Sequence, residues 1–378
     1  MSIRKKDPKI VISGYYGFDN CGDEAVLLAI IRCLRELWPT IRITVLSGNP
    51  EKTRETFGVN AVSRWNPIII AFHLLTCRLL ISGGGSLLQD VTSAKSPLYY
   101  LGVIRIALLL RKKVMIYSQG VGPLNIAKNR IKVAKTLRRC HSITLRDDQS
   151  AWLLRELGVN RNIQVSCDPV MALDREDADN EGIKEEFLEL GIFDSLDMDL
   201  NPLLLAAVRC WEDDSHIASV AEFLDTQLEE GWDILLVPMH YPSDVEAIFK
   251  ITSRMSKQPY FIDKCLTARE FLALAAVADM VFSMRLHGLI CAMAVGTPVL
   301  GLSYDPKVEA FMEQAGLERY CLSFDEFNWE TAKRLMEELD NLPYRFRQER
   351  EARRLEMQTA AWETAELAIS LLDDGSPP

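Results

Sequence analysis

The sequence predicts an α/β protein of two Rossmann-like domains followed by a helical tail. Three observations carry this. Short apolar runs alternate with amphipathic helical stretches along most of the chain. Nearly every run ends in a polar or glycine-rich loop, as the strands of a parallel sheet do at their carboxyl ends. The 378-residue length suggests two hydrophobic cores rather than one.

The first domain is read over residues 1–172. Lys9 to Ser13 is an apolar strand that runs into GYYGFDNCGDEAVLLAIIRCLRELWP, a glycine-rich loop opening an amphipathic helix. Asp23 and Glu24 fall in the first turn, where carboxylates are favoured, and Pro39 stops the helix. Arg42 to Leu46 completes a βαβ unit. Leu79 to Ile81 leads into SGGGSLLQD, with the triple glycine expected to open a helix. Lys113 to Tyr117 leads into SQGVGP, Ser142 to Leu145 into RDDQSAWLLRELG, and Ile163 to Ser166 into CDPVMAL, giving six strands.

Residues 173–200 read as an acidic linker with a short exposed helix, Glu181 to Leu190. The second domain covers 201–327. Its strands are Leu203 to Val208, ending in RCWED; Asp233 to Pro238, ending in MHYPSD; Tyr260 to Ile262; and Ala278 to Phe282. The last opens SMRLHGLICAMAVGTPVLGLSYDPK, where a helix and a further apolar strand precede a Tyr-Asp-Pro-Lys turn. Residues 328–378 form a charged helical tail that frays at GSPP. Two doubly wound domains with a C-terminal helix is the plan of the GT-B glycosyltransferases, an analogy of architecture rather than chemistry.

Composition narrows the function. The chain is 48% hydrophobic and 25% charged, with a formal net charge of −10. No long basic block appears, which argues against a duplex nucleic-acid partner. Nine cysteines, none spaced CxxC, fit reduced buried thiols in a cytoplasmic protein. No apolar run reaches the about 20 residues of a spanning helix, and MSIRKKDPK lacks a signal-peptide core. A soluble cytoplasmic protein is expected. Leu101 to Leu110, followed by Arg111, Lys112 and Lys113, could touch the inner face of an anionic membrane. A buried helix closing on cations explains that stretch better.

The candidate site residues hang from strand ends, where open α/β sheets hold ligands. Arg285 and His287 follow a buried strand. The first offers a planar fork suited to carboxylate or phosphate, the second a proton exchangeable near neutral pH. Lys307 lies in a turn that Asp-Pro would make on its own. Arg146 and Arg209 come just after strands, Gln119 and Asp168 share that position, and His240 fits ligand contact rather than proton transfer. Gly83, Gly84 and Gly85 could let an anion or a sugar approach the backbone closely. Tyr15, Tyr16, Asn20 and Asp23 pair aromatic faces with polar groups, as a sugar ring requires, although Asp23 is equally explained by the helix terminus.

Several signatures are missing. There is no GxGxxG, since position 88 is leucine, and no GK[ST] phosphate loop. No HxxxH, DxD or His/Cys cluster suggests a metal, and no GxSxG elbow suggests acyl chemistry. Anion binding with one ionisable imidazole, and no cofactor, is the expectation.

Taken in order, GYYGFDNCGDEA, ISGGGSLLQD, SQGVGP, TLRDDQS, DPV, PMHYPSD, MRLHGLI and GLSYDPK resemble the polysaccharide pyruvyltransferases, closest to the CsaB type, over about residues 9 to 320. One departure is AAVRCW at Ala206 to Trp211, where the family pattern has a glycine and a leucine before the arginine. The resemblance implies a GT-B-like fold and transfer of the enolpyruvyl carbons of phosphoenolpyruvate onto a hexosamine as a 4,6-ketal. For the CsaB type it implies N-acetylmannosamine on a lipid diphosphate, within a secondary cell wall polymer that S-layer proteins later bind. In that setting Arg285, Arg209, Arg146 and Lys307 would hold phosphoenolpyruvate in the second domain, and His287 would move protons. Tyr15, Tyr16, Asn20, Asp23, the three glycines and Gln119 would face the acceptor in the first. A cleft between the domains would close on both substrates. The alternatives are a GT-B sugar-nucleotide glycosyltransferase, which would release a nucleoside diphosphate, and a glycan-binding protein without turnover.

Overall fold

A computed structural model describes residues 7–189 and 201–372 except Thr92, Arg161 and Asp213. The strands are β1 (Lys9–Ser13), β2 (Arg42–Ser47), β3 (Asn60–Ser63), β4 (Leu79–Gly83), β5 (Lys113–Gln119), β6 (Ser142–Leu145), β7 (Ile163–Val165), β8 (Leu203–Ala207), β9 (Asp233–Leu236), β10 (Tyr260–Phe261), β11 (Met280–Ser283), β12 (Val299–Ser303) and β13 (Cys321–Ser323). The helices are α1 (Cys21–Leu37), α2 (Pro50–Phe57), α3 (Pro67–Thr76), α4 (Ser96–Leu109), α5 (Ala127–Leu137), α6 (Asp148–Glu156), α7 (Asn180–Glu189), α8 (His216–Glu229), α9 (Val245–Thr252), α10 (Ala268–Val277), α11 (Leu286–Ala294), α12 (Pro306–Gln314), α13 (Trp329–Asp340) and α14 (Tyr344–Ser370).

The chain divides into two compact units, one of residues 7–18, 26–172 and 357–372, the other of 19–25 and 173–356. Unit 1 holds a seven-stranded parallel sheet in the order β3-β2-β1-β4-β5-β6-β7. Unit 2 holds a six-stranded one, β10-β9-β8-β11-β12-β13. The central strands are buried along their length, as continuous apolar runs such as LLLAA in β8 and VLGLS in β12 require when helices cover both faces. Each sheet has one point where the strand order reverses, between β1 and β4 in unit 1 and between β8 and β11 in unit 2. Loops leaving such a pair at the carboxyl end diverge and leave a crevice between them.

Local signals set the helix starts. Asn66 caps α3, its side chain accepting from the amides of Ile68 and Ile69, with Pro67 in the first turn. Thr267 and Glu270 form a capping box at α10. Asp305 caps α12, so the Tyr-Asp-Pro-Lys turn is itself the helix start and Lys307 lies in its first turn.

The structure differs from the sequence reading in two places. Edge strands β3 and β13 were not read from the sequence; at four and three residues they are too short to show a period. The triple glycine opens no helix: Gly84 N–H donates to the Tyr117 carbonyl and Gly120 N–H to the Gly85 carbonyl, so the loop stays tied to the β5 end until α4 begins at Ser96. The tail is helical, as the sequence predicts. Helix α13 packs on α8 and buries Ala332, Leu335 and Met336. The last part of α14 packs within unit 1, where Thr364 meets the Ser166 hydroxyl at 2.8 Å. The acidic linker does contain a helix, α7, and residues 190–200 and the GSPP end lie outside the described residues. All nine cysteines are free, and burial pushes the thiols of Cys77 up to about 11 and of Cys140 up to about 12.

Candidate active site

In unit 2 the two strands at the order reversal deliver the site. β8 and β11 run in register, Ala207 opposite Ser283, so the residues after them leave the sheet side by side. Arg209 follows β8; Arg285 and His287 follow β11. The Ser283 hydroxyl accepts from the Arg285 amide at 2.9 Å and fixes the turn into α11. A Cβ on Gly288 would fall 2.5 Å from that hydroxyl, which is why glycine follows His287.

Arg285 does not project freely. Its Nε donates to Asp244 Oδ2 at 2.9 Å and its Nη2 to Oδ1. Asp244 is 1% exposed and also accepts from the amides of Met239 and His240, at 3.1 and 3.0 Å. That carboxylate is therefore satisfied on both oxygens, as a buried charge must be. Arg285 Nη1 makes no protein hydrogen bond among the described residues, which leaves one edge of the fork for a ligand.

The segment after β9 brings a second partner. Cys21 N–H donates to the Met239 carbonyl at 2.8 Å and Tyr241 N–H to the Asp19 carbonyl at 3.1 Å, so Asp19–Cys21 pairs antiparallel with Met239–Tyr241. This ties the start of α1 into unit 2. Asn20 caps that helix, its Oδ1 accepting from Gly22 and Asp23. A Cβ on Gly22 would lie 2.4 Å from His287 Nδ1, so the imidazole rests directly on the Gly22 backbone. His240 sits between charges: burial lowers its pKa first, and the Arg285 and Arg209 cations lower it further against the opposite pull of Asp244 and Asp19. It is a neutral imidazole at neutral pH.

Beside these, Arg209 lies 5.0 Å from the Trp211 ring centre and 5.2 Å from that of Tyr304, and donates to the Tyr304 hydroxyl at 3.3 Å. Its carbonyl meets His216 Nε2 at 2.9 Å, and the His216 ring is buried. Lys307 lies 5.8 Å from the Tyr304 ring centre and pairs with Asp305 at 3.0 Å. Asp244, His216 and Tyr304 were missed as site residues by sequence reasoning. The one available signal was an aspartate four residues past His240 at a strand end.

Unit 1 arranges its candidates differently. Arg146 is 5% exposed and surrounded: Nη1 on Asp168 at 3.2 Å, Nε toward Asp147 at 3.5 Å, and Nη2 on the Ser86 hydroxyl at 2.8 Å. Its fork is taken up by protein, and it lies in the unit that does not carry Arg209, Arg285 and Lys307. Tyr16 is 1% exposed and donates to the Gly83 carbonyl at 3.1 Å. The expectation that it stacks on a sugar is corrected: the ring belongs to the core. Tyr15 instead stacks on Phe18 with ring centres 4.3 Å apart. The glycines admit neighbours: Gly84 (φ +50°) leaves no room for a Cβ beside Val26, and Gly83 none beside Ile30. Gln119 is fully buried, and neither its amide oxygen nor its nitrogen has a hydrogen-bond partner among the described residues. Buried side-chain amides are almost always paired, so this pair of atoms at the β5 carboxyl end suits a polar ligand or water.

One unit 1 residue escaped the sequence reading altogether. Arg64 is buried among Phe18, Trp65, Tyr99 and Tyr100, with the Tyr99 ring centre 4.3 Å away. It donates to the Gly14 carbonyl at 2.9 Å, pinning the first residue of the loop after β1. Among the described residues, no three His, Cys, Asp or Glu side chains converge as a metal site would.

Solved structures resemble this architecture at low sequence identity. A UDP-GlcNAc 2-epimerase from Methanocaldococcus jannaschii aligns with TM-score 0.63 at 15% identity, over 89% of this chain and 93% of that one. A glycosyltransferase from Rickettsia africae gives 0.63 at 12%, over 98% and 100%. An Anabaena protein solved with UDP-glucose gives 0.59 at 14%, over 96% of both chains. At such identities the likeness is one of fold: two Rossmann-like units of the GT-B kind with a helical C-terminal segment. No curated protein matches the sequence. Residues 20–306 match the family described as polysaccharide pyruvyl transferase, a span running from the Asn20 cap through β8, β11 and the start of α12. The chain belongs to the polysaccharide pyruvyl transferase family.

Proposed function

We propose that the protein transfers the pyruvyl group of phosphoenolpyruvate onto a hexosamine of a lipid-linked polysaccharide precursor as a 4,6-ketal, releasing phosphate. The sugar is N-acetylmannosamine, as in the CsaB type, and the polymer is a secondary cell wall polysaccharide of the kind S-layer proteins bind. Family membership supports an enzyme that moves pyruvate onto polysaccharide. The observation that carries the finer reading is the company at the unit 2 strand reversal: Arg285 held on Asp244, Arg209 framed by Trp211 and Tyr304, and His287 at the head of α11.

The chemistry follows from the donor. Phosphoenolpyruvate carries a carboxylate and a phosphate on one enol carbon. In the proposal Arg285, Arg209 and Lys307 hold these anions, and α11 presents its positive end beside them. His287 delivers a proton to C3, turning the methylene into a methyl and leaving C2 electron-poor. One sugar hydroxyl then adds to C2 and gives up its proton. The C2–O bond to phosphate breaks, and the second hydroxyl adds at C2, its proton leaving with the phosphate. Two hydroxyl protons are lost, one to the methyl group and one to phosphate, so the step balances without a redox partner or cofactor. Fixed cations around the departing phosphate stabilise the charge as it develops.

Arg146 takes a supporting part in this proposal. Through Ser86, Asp147 and Asp168 it shapes the loops after β4, β6 and β7, beside which Gln119, the glycines and Tyr15 would receive the acceptor. The protein would work in the cytoplasm, at the inner membrane face where lipid-linked precursors are built.

The test is phosphate release from phosphoenolpyruvate with and without a lipid-diphosphate acceptor ending in N-acetylmannosamine, with mass spectrometry of the glycan. Acceptor-dependent phosphate and the mass of a pyruvate ketal support the reading. Release of a nucleoside diphosphate from a UDP-sugar, with no phosphate from phosphoenolpyruvate, overturns it.

A further inference from the structure

We propose that the α3–α4–α5 face of unit 1 docks on an anionic lipid bilayer, with α3 entering the headgroup boundary. The helix PIIIAFHLLT has apolar residues on every side. Ile70 and Leu74 are buried, as one face should be. The opposite face is apolar too, and it is bare: Ile68 is 80% exposed, Phe72 62% and Leu75 58%, spaced along one stripe, with Trp65 at 65% just before the helix. A helix apolar all round belongs inside a protein or against lipid, and a contiguous exposed patch of this kind marks a contact surface.

Charge selects the partner. Between Trp65 and Leu145 the chain carries twelve Lys and Arg and a single acid, Asp90, which is buried. The protein as a whole has a net charge of −10, so the acids have been kept off this part of it. The layer is continuous: α3 packs on α4 and α4 on α5, where Arg105 reaches the Thr136 hydroxyl at 2.9 Å. Exposed Lys128, Arg130 and Lys135 of α5 and Arg111 after α4 supply cations, while Leu109 and Ile131 add exposed apolar groups, 79% and 67% exposed. Apolar residues able to enter the acyl boundary, a tryptophan at their edge and surrounding cations are what an anionic bilayer surface binds.

The buried-helix reading of Leu101 to Leu110 holds. Leu101, Val103, Ile104 and Ala107 of α4 are buried in the unit 1 core, as that reading expects. The lipid-facing element is α3, whose Trp65 edge-packs on Phe18 of the loop after β1. Docking would therefore set that loop, at the unit 1 strand reversal, close to the bilayer. The proposal does not depend on which sugar is modified.

The test is flotation of the full chain with vesicles of phosphatidylcholine alone and of phosphatidylcholine mixed equally with phosphatidylglycerol, at low and high salt. Binding to the mixed vesicles, weakened by salt, is expected, with little binding to phosphatidylcholine alone. The double variant Ile68→Asp/Phe72→Asp should lower partitioning by about tenfold or more. The triple variant Lys128→Glu/Arg130→Glu/Lys135→Glu should lower it and remove the salt dependence. These positions are exposed, so thermal melts should match the wild type. Phosphate release on a water-soluble acceptor should be unchanged in both variants, which separates this proposal from the pyruvyl reading. Absence of wild-type binding to anionic vesicles overturns it. So does full binding by the Ile68→Asp/Phe72→Asp variant, or a change in that variant from dimer to monomer with flotation unaltered, which would make α3 a contact between copies of the chain.

Discussion

Asp244 grips Arg285 with both carboxylate oxygens while the amides of Met239 and His240 close on the same carboxylate. The pair joins the segment after β9 to the segment after β11, two loops that the sheet alone would leave apart. It spends part of the guanidinium on protein and in return fixes the direction of the rest. An arginine held this way keeps its exposed edge aimed at one place, so less rotamer entropy is lost when an anion binds.

Asp244→Ala should therefore be costly twice. Removing one partner of a buried, hydrogen-bonded ion pair typically costs about 3–5 kcal/mol, and the Met239 and His240 amides lose their acceptor as well. Denaturant titration should show a loss of that order. Asp244→Glu, which keeps the charge on a longer stem, should recover much of the stability. If Asp244 also aims Arg285, Asp244→Glu will still raise KM for phosphoenolpyruvate by about tenfold. Recovery of both stability and KM would reduce Asp244 to a fold element.

Gly22 and His287 give a sharper test of geometry. Any side chain at position 22 collides with the imidazole, since a Cβ there falls 2.4 Å from Nδ1. Gly22→Ala should displace the ring and lower kcat by about a hundredfold, within the range set by loss of a positioned acid or base. Folding stability should fall as well, because the same Cβ lies 2.6 Å from His287 Cβ, a contact that ring rotation does not relieve. His287→Gln should lower kcat by about as much, and Gly22→Ala in that background should add little more. Additive losses would argue that Gly22 acts through something other than the imidazole.

Much of this arrangement was legible in the sequence because parallel sheets write themselves plainly. The strands buried on both faces, β1, β4, β5, β6, β8, β11 and β12, appear as apolar runs, and the residues just after them were the right places to look. Arg209, Arg285 and His287 all follow strands at the unit 2 reversal. What sequence could not supply was pairing across long separations. Asp244 meets Arg285 across 41 positions. Tyr16 reads as a loop aromatic until its hydroxyl is seen on Gly83, 67 positions away. Arg64 stands beside an ordinary edge strand, and only the fold brings four rings around it. The triple glycine misled for a related reason: its freedom serves close packing of Val26 and Ile30, not a helix start.

His240 makes the protein's stability depend on pH in a defined direction. Burial and the nearby Arg285 and Arg209 hold its pKa below the ordinary histidine value. In the unfolded chain the ring takes up a proton near pH 6.5. Between that value and the lower folded pKa, the unfolded state binds a proton that the folded state does not. Stability from the neutral ring is thus fully present above about pH 6.5 and falls as pH drops toward the folded pKa. Urea titrations from about pH 7.5 down to 5 should show this decline, and His240→Asn should flatten it. An unchanged slope in the variant would place the acid sensitivity elsewhere.

Arg209 and Lys307 carry the same charge near the same ring, yet they should differ in weight. Lys307 is about one-third exposed and already paired with Asp305 at 3.0 Å, so its pull on an anion is shared and screened. Arg209 packs against Trp211 and Tyr304, whose rings also pack on each other with centres 4.7 Å apart, and His216 holds its carbonyl. A planar cation in such a frame is not replaced by an ammonium. Arg209→Lys should raise KM for phosphoenolpyruvate by about tenfold or more, at roughly 1–2 kcal/mol for the lost stacking and fork. Lys307→Arg should stay within about threefold of wild type, because the screened charge is preserved. Tyr304→Phe removes the 3.3 Å bond to Arg209 but keeps the ring, and should fall between the two. Steady-state titration of phosphoenolpyruvate with saturating acceptor reads all three. If Lys307→Arg proves the most damaging, the phosphate is held at the start of α12 rather than beside β8, and Arg209 is a structural cation.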